Sequence, residues 1–248
     1  MHPILFKIGP VTVYSYGTLL AVALFAGLYL GRYELKRRKM NPDIAYDLIL
    51  AIAIGGIVGA RLFYIIGHWQ YYGSHLSEVI QVQKGGLVFY GGLLVGGAAV
   101  FWVIQRQHLD MWKVADALAA PIALGTAIGR IGCLLQGCCY GLPTKLPWGI
   151  NFFDIPRHPT QLYELLFDLA IFLGLFFYLE KGEILREKGS LFLSYLMIYS
   201  FGRFFLEFLR ASPRILRYFT FSQLASAVLF GVTLYVLNER RKTGKLYK

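Results

Sequence analysis

The chain has 248 residues, 56% of them hydrophobic and only 16% charged, with a formal net charge of +11. A water-soluble domain usually carries about 25% charged residues. Too few polar side chains remain here to coat a soluble surface, which argues against one large soluble protein with buried helices.

Seven apolar runs are long enough to cross a bilayer core, which takes about 20 residues of helix. Backbone groups in lipid must be satisfied internally, by helices or by a closed barrel. The runs are too continuously apolar for alternating barrel strands. The fold class expected is therefore an all-α integral membrane protein with seven transmembrane helices.

The first run, 12–31, opens with Tyr14 and Tyr16. No basic segment precedes it and its flanking charges follow it, so it is not read as a cleavable signal. The second, 44–66, starts beside Asp47, contains Gly55, Gly56 and Gly59, and carries Arg61 late. The third, 86–104, holds Tyr90 with Gly91, Gly92, Gly96 and Gly97. The fourth, 114–135, begins with Asp116 and ends through Gly125, Gly129, Arg130, Gly132 and Cys133. The following connection, 136–159, adds Cys138, Cys139 and His158, with the turn residues Gly141, Pro143, Pro147, Gly149, Pro156 and Pro159. The fifth run, 160–179, has Gln161, Tyr163 and Glu164 in its first turn. The sixth, 190–208, holds Tyr199, Arg203 and Glu207, with Arg210 just beyond. Those spacings put the four side chains on one helix face, where Glu207 can pair Arg203. The seventh, 219–237, opens with Ser222 and Gln223. No repeat or linker divides the chain, which reads as one membrane-embedded domain, 1–248.

Fifteen lysines and arginines fall in the 32–43, 105–113 and 180–189 loops and the tail, against seven on the opposite side. The first group includes Lys181, Arg186 and Lys248; the second includes Lys84 and Arg217. Basic residues stay cytoplasmic, so the N-terminus is expected outside and the C-terminus inside. Most of the net charge is then a topology signal that also meets anionic lipid, and no separate soluble domain is left to bind nucleic acid. The 67–85 and 136–159 connections are expected to form a small extracytoplasmic cap.

Arg61, Arg130 and Arg203 stand inside the apolar runs, where a charge costs about 2.5–3.5 kcal/mol on insertion scales and marks a functional candidate. With this orientation all three lie toward the outer leaflet, at the depth of Tyr16, Tyr90, Gln161 and Glu164. Three guanidiniums against Glu164 and Glu207 leave room for an anion, and the arginine fork suits phosphate. A phospholipid headgroup is the anion available at that depth. The competing readings are arginines that merely snorkel to the interface and, for Arg203 and Glu207, an interhelical salt bridge. The glycines suit close helix packing, while Gly91 and Gly92 beside Tyr90 also offer backbone N–H groups to an anion. Cys133, Cys138 and Cys139 fit small buried residues, a disulfide, or a metal site for which no histidine completes a familiar spacing.

The strings GARLFYII (59–66), GGLVFYGGLLVGG (85–97), GRIGCLLQGCCYG (129–141), RHPTQLYE (157–164) and YSFGRFFLEFLR (199–210) resemble the phosphatidylglycerol–prolipoprotein diacylglyceryl transferases. The likeness spans essentially the whole chain. It implies a multi-pass protein of the bacterial cytoplasmic (inner) membrane, with its active site toward the outer leaflet. It implies transfer of the diacylglyceryl group of phosphatidylglycerol to the lipobox cysteine of prolipoprotein signal peptides, releasing glycerol 1-phosphate, without metal or organic cofactor. It implies that Arg130 and Arg203 grip the lipid phosphate and that Tyr16, Tyr199, Glu207 and Gly141 serve the site. Arg61, Gly91, Gly92 and Gln161 are further substrate-binding candidates. The family's usual pattern has histidine where this chain has Tyr90, asparagine at Cys133 and Gln136, and glutamate at Cys138. That histidine is a favoured base for the thiol proton. Tyrosine is a poor base unless its tyrosinate is stabilised, by Arg130 or Arg203, and substrate phosphate is the other candidate. The rival readings are a diverged phosphatidylglycerol-dependent transferase with another acceptor and a non-catalytic lipid-binding or transport protein. The nearly featureless inner halves of the helices argue against transport.

Overall fold

The computed structural model describes residues 1–9, 11–81, 85–152, 154–178, 188–216 and 218–246. Lys84, Lys181, Arg186, Arg217 and Lys248, counted above for orientation, lie outside the described residues, as does residue 179 at the end of the fifth run. Seven described helices are long and apolar enough to cross a membrane. They are α1 (Ser15–Arg37), α2 (Ile44–Gly67), α4 (Phe89–Arg106), α5 (Met111–Gln136), α6 (Thr160–Leu173), α7 (Ser190–Leu206) and α8 (Phe221–Leu246). A short α3 (Trp69–Tyr72) follows α2; α6 continues as a π-helical turn, Gly174–Tyr178, and α7 closes in a 3-10 turn, Glu207–Leu209.

The first helix starts three residues later than its apolar run because the chain enters it from a hairpin. Strand β1 (Ile4–Ile8) pairs antiparallel with β2 (Val11–Tyr14), Lys7 opposite Thr12. Two further hairpins follow. β3 (Ile150–Phe152) pairs with β4 (Ile155–Arg157), and β5 (Arg214–Leu216) pairs with β6 (Phe219–Thr220). Each leads directly into a span: α1, α6 or α8.

The described chain forms two compact units, Met1–Leu30 with Ala115–Lys248, and Gly31–Val114. In the second unit α2 and α4 meet at glycines. A Cβ on Gly59 would lie 2.4 Å from the Gly91 carbonyl oxygen, and one on Gly91 would lie 2.4 Å from that of Gly59. A Cβ on Gly55 would lie 3.0 Å from the Gly96 Cα. Small residues let the two backbones touch, which is how helices gain dispersion contact without a hydrophobic drive in lipid. At the far end of this pair Gln107 donates to Asp47 at 2.6 Å.

In the first unit α5, α6 and α7 share a core of Ala119, Ala120, Ala123, Ile171, Leu175, Leu191 and Tyr195. Asp116 is 4% exposed and accepts the Gly189 and Phe192 N–H groups at 2.6 and 2.9 Å, which satisfies orphan donors at the start of α7. Large apolar side chains such as Phe25, Leu166 and Val228 point outward and exposed, as lipid-facing residues do. At one end of this unit the connections are laced by backbone bonds: His2 to Leu135, Leu142 to Leu209, Gly141 to His158 and Ala211 to Tyr140.

Candidate active site

Three spans of the first unit converge on one carboxylate. Glu164 stands in the second turn of α6 and is 3% exposed. Its Oε2 lies 2.6 Å from Arg130 Nε, at the late end of α5. Its Oε1 lies 2.7 Å from Arg203 Nη1 and 2.9 Å from Arg210 Nη1. Glu207, one helical turn beyond Arg203 and 2% exposed, pairs Arg203 Nη2 at 2.7 Å and lies 3.6 Å from Arg210 Nε. The ion-paired network thus holds three guanidiniums on two carboxylates, one positive charge in excess. Buried charges persist only where such pairing offsets their lost hydration.

Other polar groups surround the network. Tyr199 lies one turn before Arg203, half-buried, its ring centroid 5.9 Å from that of Tyr195. The Tyr16 ring packs over Gly132, where an added Cβ would approach it to 3.1 Å. Gln161 is 1% exposed and donates to the Cys138 carbonyl at 2.6 Å, while its Oε1 accepts no hydrogen bond. Thr160 donates to the Cys139 carbonyl at 2.7 Å. Gly141 is fixed by a crossing of three segments: its N–H donates to the His158 carbonyl at 2.9 Å, and a Cβ would fall 2.6 Å from both His158 Cβ and the Leu209 carbonyl oxygen. His158 itself sits 3.3 Å from the Tyr163 hydroxyl through Nδ1.

Beside Arg210 the chain folds the three cysteines together. Gly137 and Cys139 adopt positive φ, +74° and +64°, and turn the end of α5 back on itself. All three thiol sulfurs then lie within 4.8 Å of one another, half-buried. Hydrogen bonds from Cys133 and Cys138, aided by the Arg210 and Arg130 charges, hold the Cys139 thiol well below its ordinary value. Cys138, Cys139, Tyr140, Arg210 and Ser212 line a cleft of about 460 Å³.

Four of the expected site residues belong to the second unit. Arg61 is 6% exposed, and its donors go to backbone: Nε to Val79 at 2.8 Å, Nη2 to Glu78 at 2.6 Å, and Nη1 to Gly85 and Gly86 at 2.8 and 3.3 Å. The Tyr64 and Tyr72 rings flank its guanidinium at 5.7 and 5.2 Å. These bonds make Arg61 a clamp on the backbone at Glu78, Val79, Gly85 and Gly86. Gly91 and Gly92 lie against α2, with a Cβ at Gly92 meeting the Gly56 carbonyl oxygen at 2.9 Å, so helix contact accounts for them. Tyr90 is 45% exposed in the first turn of α4, edge-on to Phe89 at 5.7 Å.

Residues 3–238 match the family model described as prolipoprotein diacylglyceryl transferase. The chain belongs to this family. It is 36% identical over 246 residues to the phosphatidylglycerol–prolipoprotein diacylglyceryl transferase of Trichormus variabilis, covering 94% of this chain and 86% of that protein. It is 33% identical over 252 residues to the enzyme of the same name from Clostridium tetani, covering 98% and 100%. The namesake from Geobacillus kaustophilus is 38% identical over 244 residues, covering 93% and 87%.

The structure gives three residues of this diacylglyceryl transferase family member a place in the site that the sequence reading did not assign. Glu164 was set against the arginines by sequence, but nothing in sequence marked it as the hub. Arg210, two residues past the apolar run, was placed by its spacing on the helix face of Arg203 and Glu207 and was also counted among the flanking charges; the structure adds its contact with Glu164. Asp168, 2% exposed, lies one turn further along α6 from Glu164 on the same face, and the i, i+4 spacing of the two carboxyls was legible.

Proposed function

We propose that this chain transfers the diacylglyceryl group of phosphatidylglycerol to the cysteine thiol of a prolipoprotein signal peptide, as the names of its relatives state for them. The observation that carries the site assignment is the Glu164 hub, with three guanidiniums on two carboxylates. An anionic phosphodiester fits the excess positive charge, and the arginine fork suits its oxygens.

Arg130 and Arg203 hold the phosphate. Glu207 fixes the direction of Arg203, and Tyr16, Tyr199, Gln161 and Gly141 shape the cleft around it. The acceptor thiolate attacks the terminal glycerol carbon of the diacylglyceryl group. A C–S bond forms, the C–O bond to phosphate breaks, and glycerol 1-phosphate leaves with the electron pair. Guanidiniums aimed at the departing oxygens stabilise the charge as it develops. Tyr90 is the protein side chain proposed to assist the thiol's loss of its proton. The whole chain acts as one domain of a bacterial inner membrane, N-terminus outside and site toward the outer leaflet. Both substrates then arrive laterally, from the membrane in which they reside.

The test is incubation of the detergent-purified chain with phosphatidylglycerol and a lipobox peptide, followed by peptide mass. A diacylglyceryl mass gain is expected, abolished in Arg130→Ala and Arg203→Ala and reduced in Tyr90→Phe. No gain, with glycerol 1-phosphate still released, would point to another acceptor. Unchanged lipid and peptide would overturn the enzyme assignment.

A further inference from the structure

Alkylation of a thiol requires the thiolate, and the reaction proposed above must generate it at an acceptor cysteine beside the arginine network. The three clustered thiols supply a chemical means. Cys133 ends a helical turn of α5, while Cys138 and Cys139 return toward it through the left-handed Gly137 and Cys139. Cys138 N–H donates to the Cys133 carbonyl at 3.1 Å, which locks the return. All three are free thiols, and their sulfurs lie within 4.8 Å of one another.

We infer that Cys133, Cys138 and Cys139 form a three-thiolate site for a soft divalent cation, zinc, whose fourth position takes the acceptor cysteine. The inference rests on the transferase reading for the identity of that fourth ligand only.

Three lines of chemistry meet here. Zinc bound tetrahedrally at about 2.3 Å from each sulfur places neighbouring sulfurs about 3.8 Å apart, so the cluster, within 4.8 Å, needs a contraction of about 1 Å or less. Sites with three protein ligands keep an open position for water or substrate, whereas closed four-ligand sites are structural. Cys138 and Cys139 line the same cleft as Arg210, which gives an incoming side chain access to two of the three thiols.

The step balances. A zinc-bound hydroxide is the final acceptor of the thiol proton whose loss Tyr90 assists; it leaves as water, and the acceptor sulfur replaces it on the metal. A thiol coordinated to zinc is deprotonated outright. The metal-held thiolate then attacks the glycerol carbon, the C–S bond forms, and glycerol 1-phosphate departs toward the arginines. No oxidant or reductant is consumed, and zinc has no redox chemistry to divert the thiolate.

The test uses the full-length protein in detergent, stripped with chelator under reducing conditions and titrated with Co²⁺ and then Zn²⁺. One Co²⁺ per chain is expected, with a thiolate-to-cobalt charge-transfer band that Zn²⁺ erases. Cys133→Ser, Cys138→Ser and Cys139→Ser should each weaken binding at least about 10-fold, and the band's intensity per metal should fall in each. Adding a lipobox peptide should shift the cobalt d–d bands and raise the charge-transfer intensity, and a peptide with serine in place of the cysteine should do neither. Transfer activity should fall at least about 100-fold on stripping and return with Zn²⁺. The inference is overturned if the reduced wild-type protein shows no charge-transfer band with Co²⁺, or if two of the thiols in protein purified without reductant are joined as a disulfide that transfers at full rate. Full transfer by stripped protein would also overturn it while leaving the transferase reading intact. A cobalt band with no transfer under any metal condition would instead sink the transferase reading and keep the metal site.

Discussion

Glu164→Gln isolates the hub of the site. The substitution keeps the shape and one acceptor oxygen and removes one negative charge. Three contacts at 2.6, 2.7 and 2.9 Å lose their charge assistance together. Of the two ion-paired carboxylates only Glu207 then remains, and it reaches two of the three guanidiniums. Breaking a buried ion pair by removing one partner costs about 3–5 kcal/mol. The arginines keep 13–19% of their side-chain surface exposed and the glutamine oxygen still accepts one bond, which favours the lower end, about 3 kcal/mol. For a chain of this size each kcal/mol moves the unfolding midpoint by about 2–4 °C, so the deficit is about 6–12 °C. Differential scanning fluorimetry in detergent measures it. Phosphatidylglycerol added to the micelles should shrink the deficit, because its phosphate replaces the missing carboxylate on the guanidiniums. An unchanged midpoint, or a deficit that phosphatidylglycerol deepens, would refute the reasoning.

Arg61→Ala should remove four hydrogen bonds to carbonyls of the 78–86 loop, destabilise the protein by about 1–3 kcal/mol and speed proteolysis of that loop. A raised KM for phosphatidylglycerol with the loop equally resistant would restore Arg61 to phosphate binding. Gly59→Ala drives a methyl to 2.4 Å from the Gly91 carbonyl oxygen, whereas Gly56→Ala meets nothing within 4 Å. The first should cost about 1–3 kcal/mol of overpacking, the second close to nothing, as read by paired unfolding midpoints.

Seven spans were legible because continuous apolar length is set by bilayer thickness and survives any detail of packing. The hairpins were not, because strands of two to five residues leave no countable alternation, and Val11–Tyr14 merges with the apolar run behind it. The grouping of Arg130 and Arg203 with Glu164 was legible from where each falls along its helix, and the structure brings the three into contact. Direction was not, since a sequence gives the height of a side chain along a helix but not the neighbours it turns toward. Arg61 was grouped with them by the same reasoning, yet carbonyls 17 to 25 residues away take up its donors. The pairing of Arg203 with Glu207 was legible because both lie on one helix. Glu164 joins α5, α6 and α7, and no local spacing encodes a meeting of three helices.

The excess charge of the network bears on catalysis as well as on binding. Phosphatidylglycerol presents a phosphodiester with a single negative charge. As the C–O bond breaks, the leaving group becomes a monoester carrying about −1.5 to −2. An ion-paired network with one guanidinium charge left over therefore gains more from the departing phosphate than from the lipid, which is the differential binding that lowers a barrier. Fully neutralised arginines would hold substrate and transition state alike and accelerate nothing. The same asymmetry has a cost after the reaction, because the product is the better ligand. Glycerol 1-phosphate should compete with phosphatidylglycerol in the transfer assay, and more strongly than glycerol 3-phosphate methyl ester, a monoanionic diester of similar size. The preference should collapse in Arg210→Gln, where the network of three guanidiniums and two carboxylates becomes neutral. Equal inhibition by monoester and diester in the wild type would mean that the excess charge is compensated from elsewhere, and that electrostatic discrimination does not drive the departure of the phosphate.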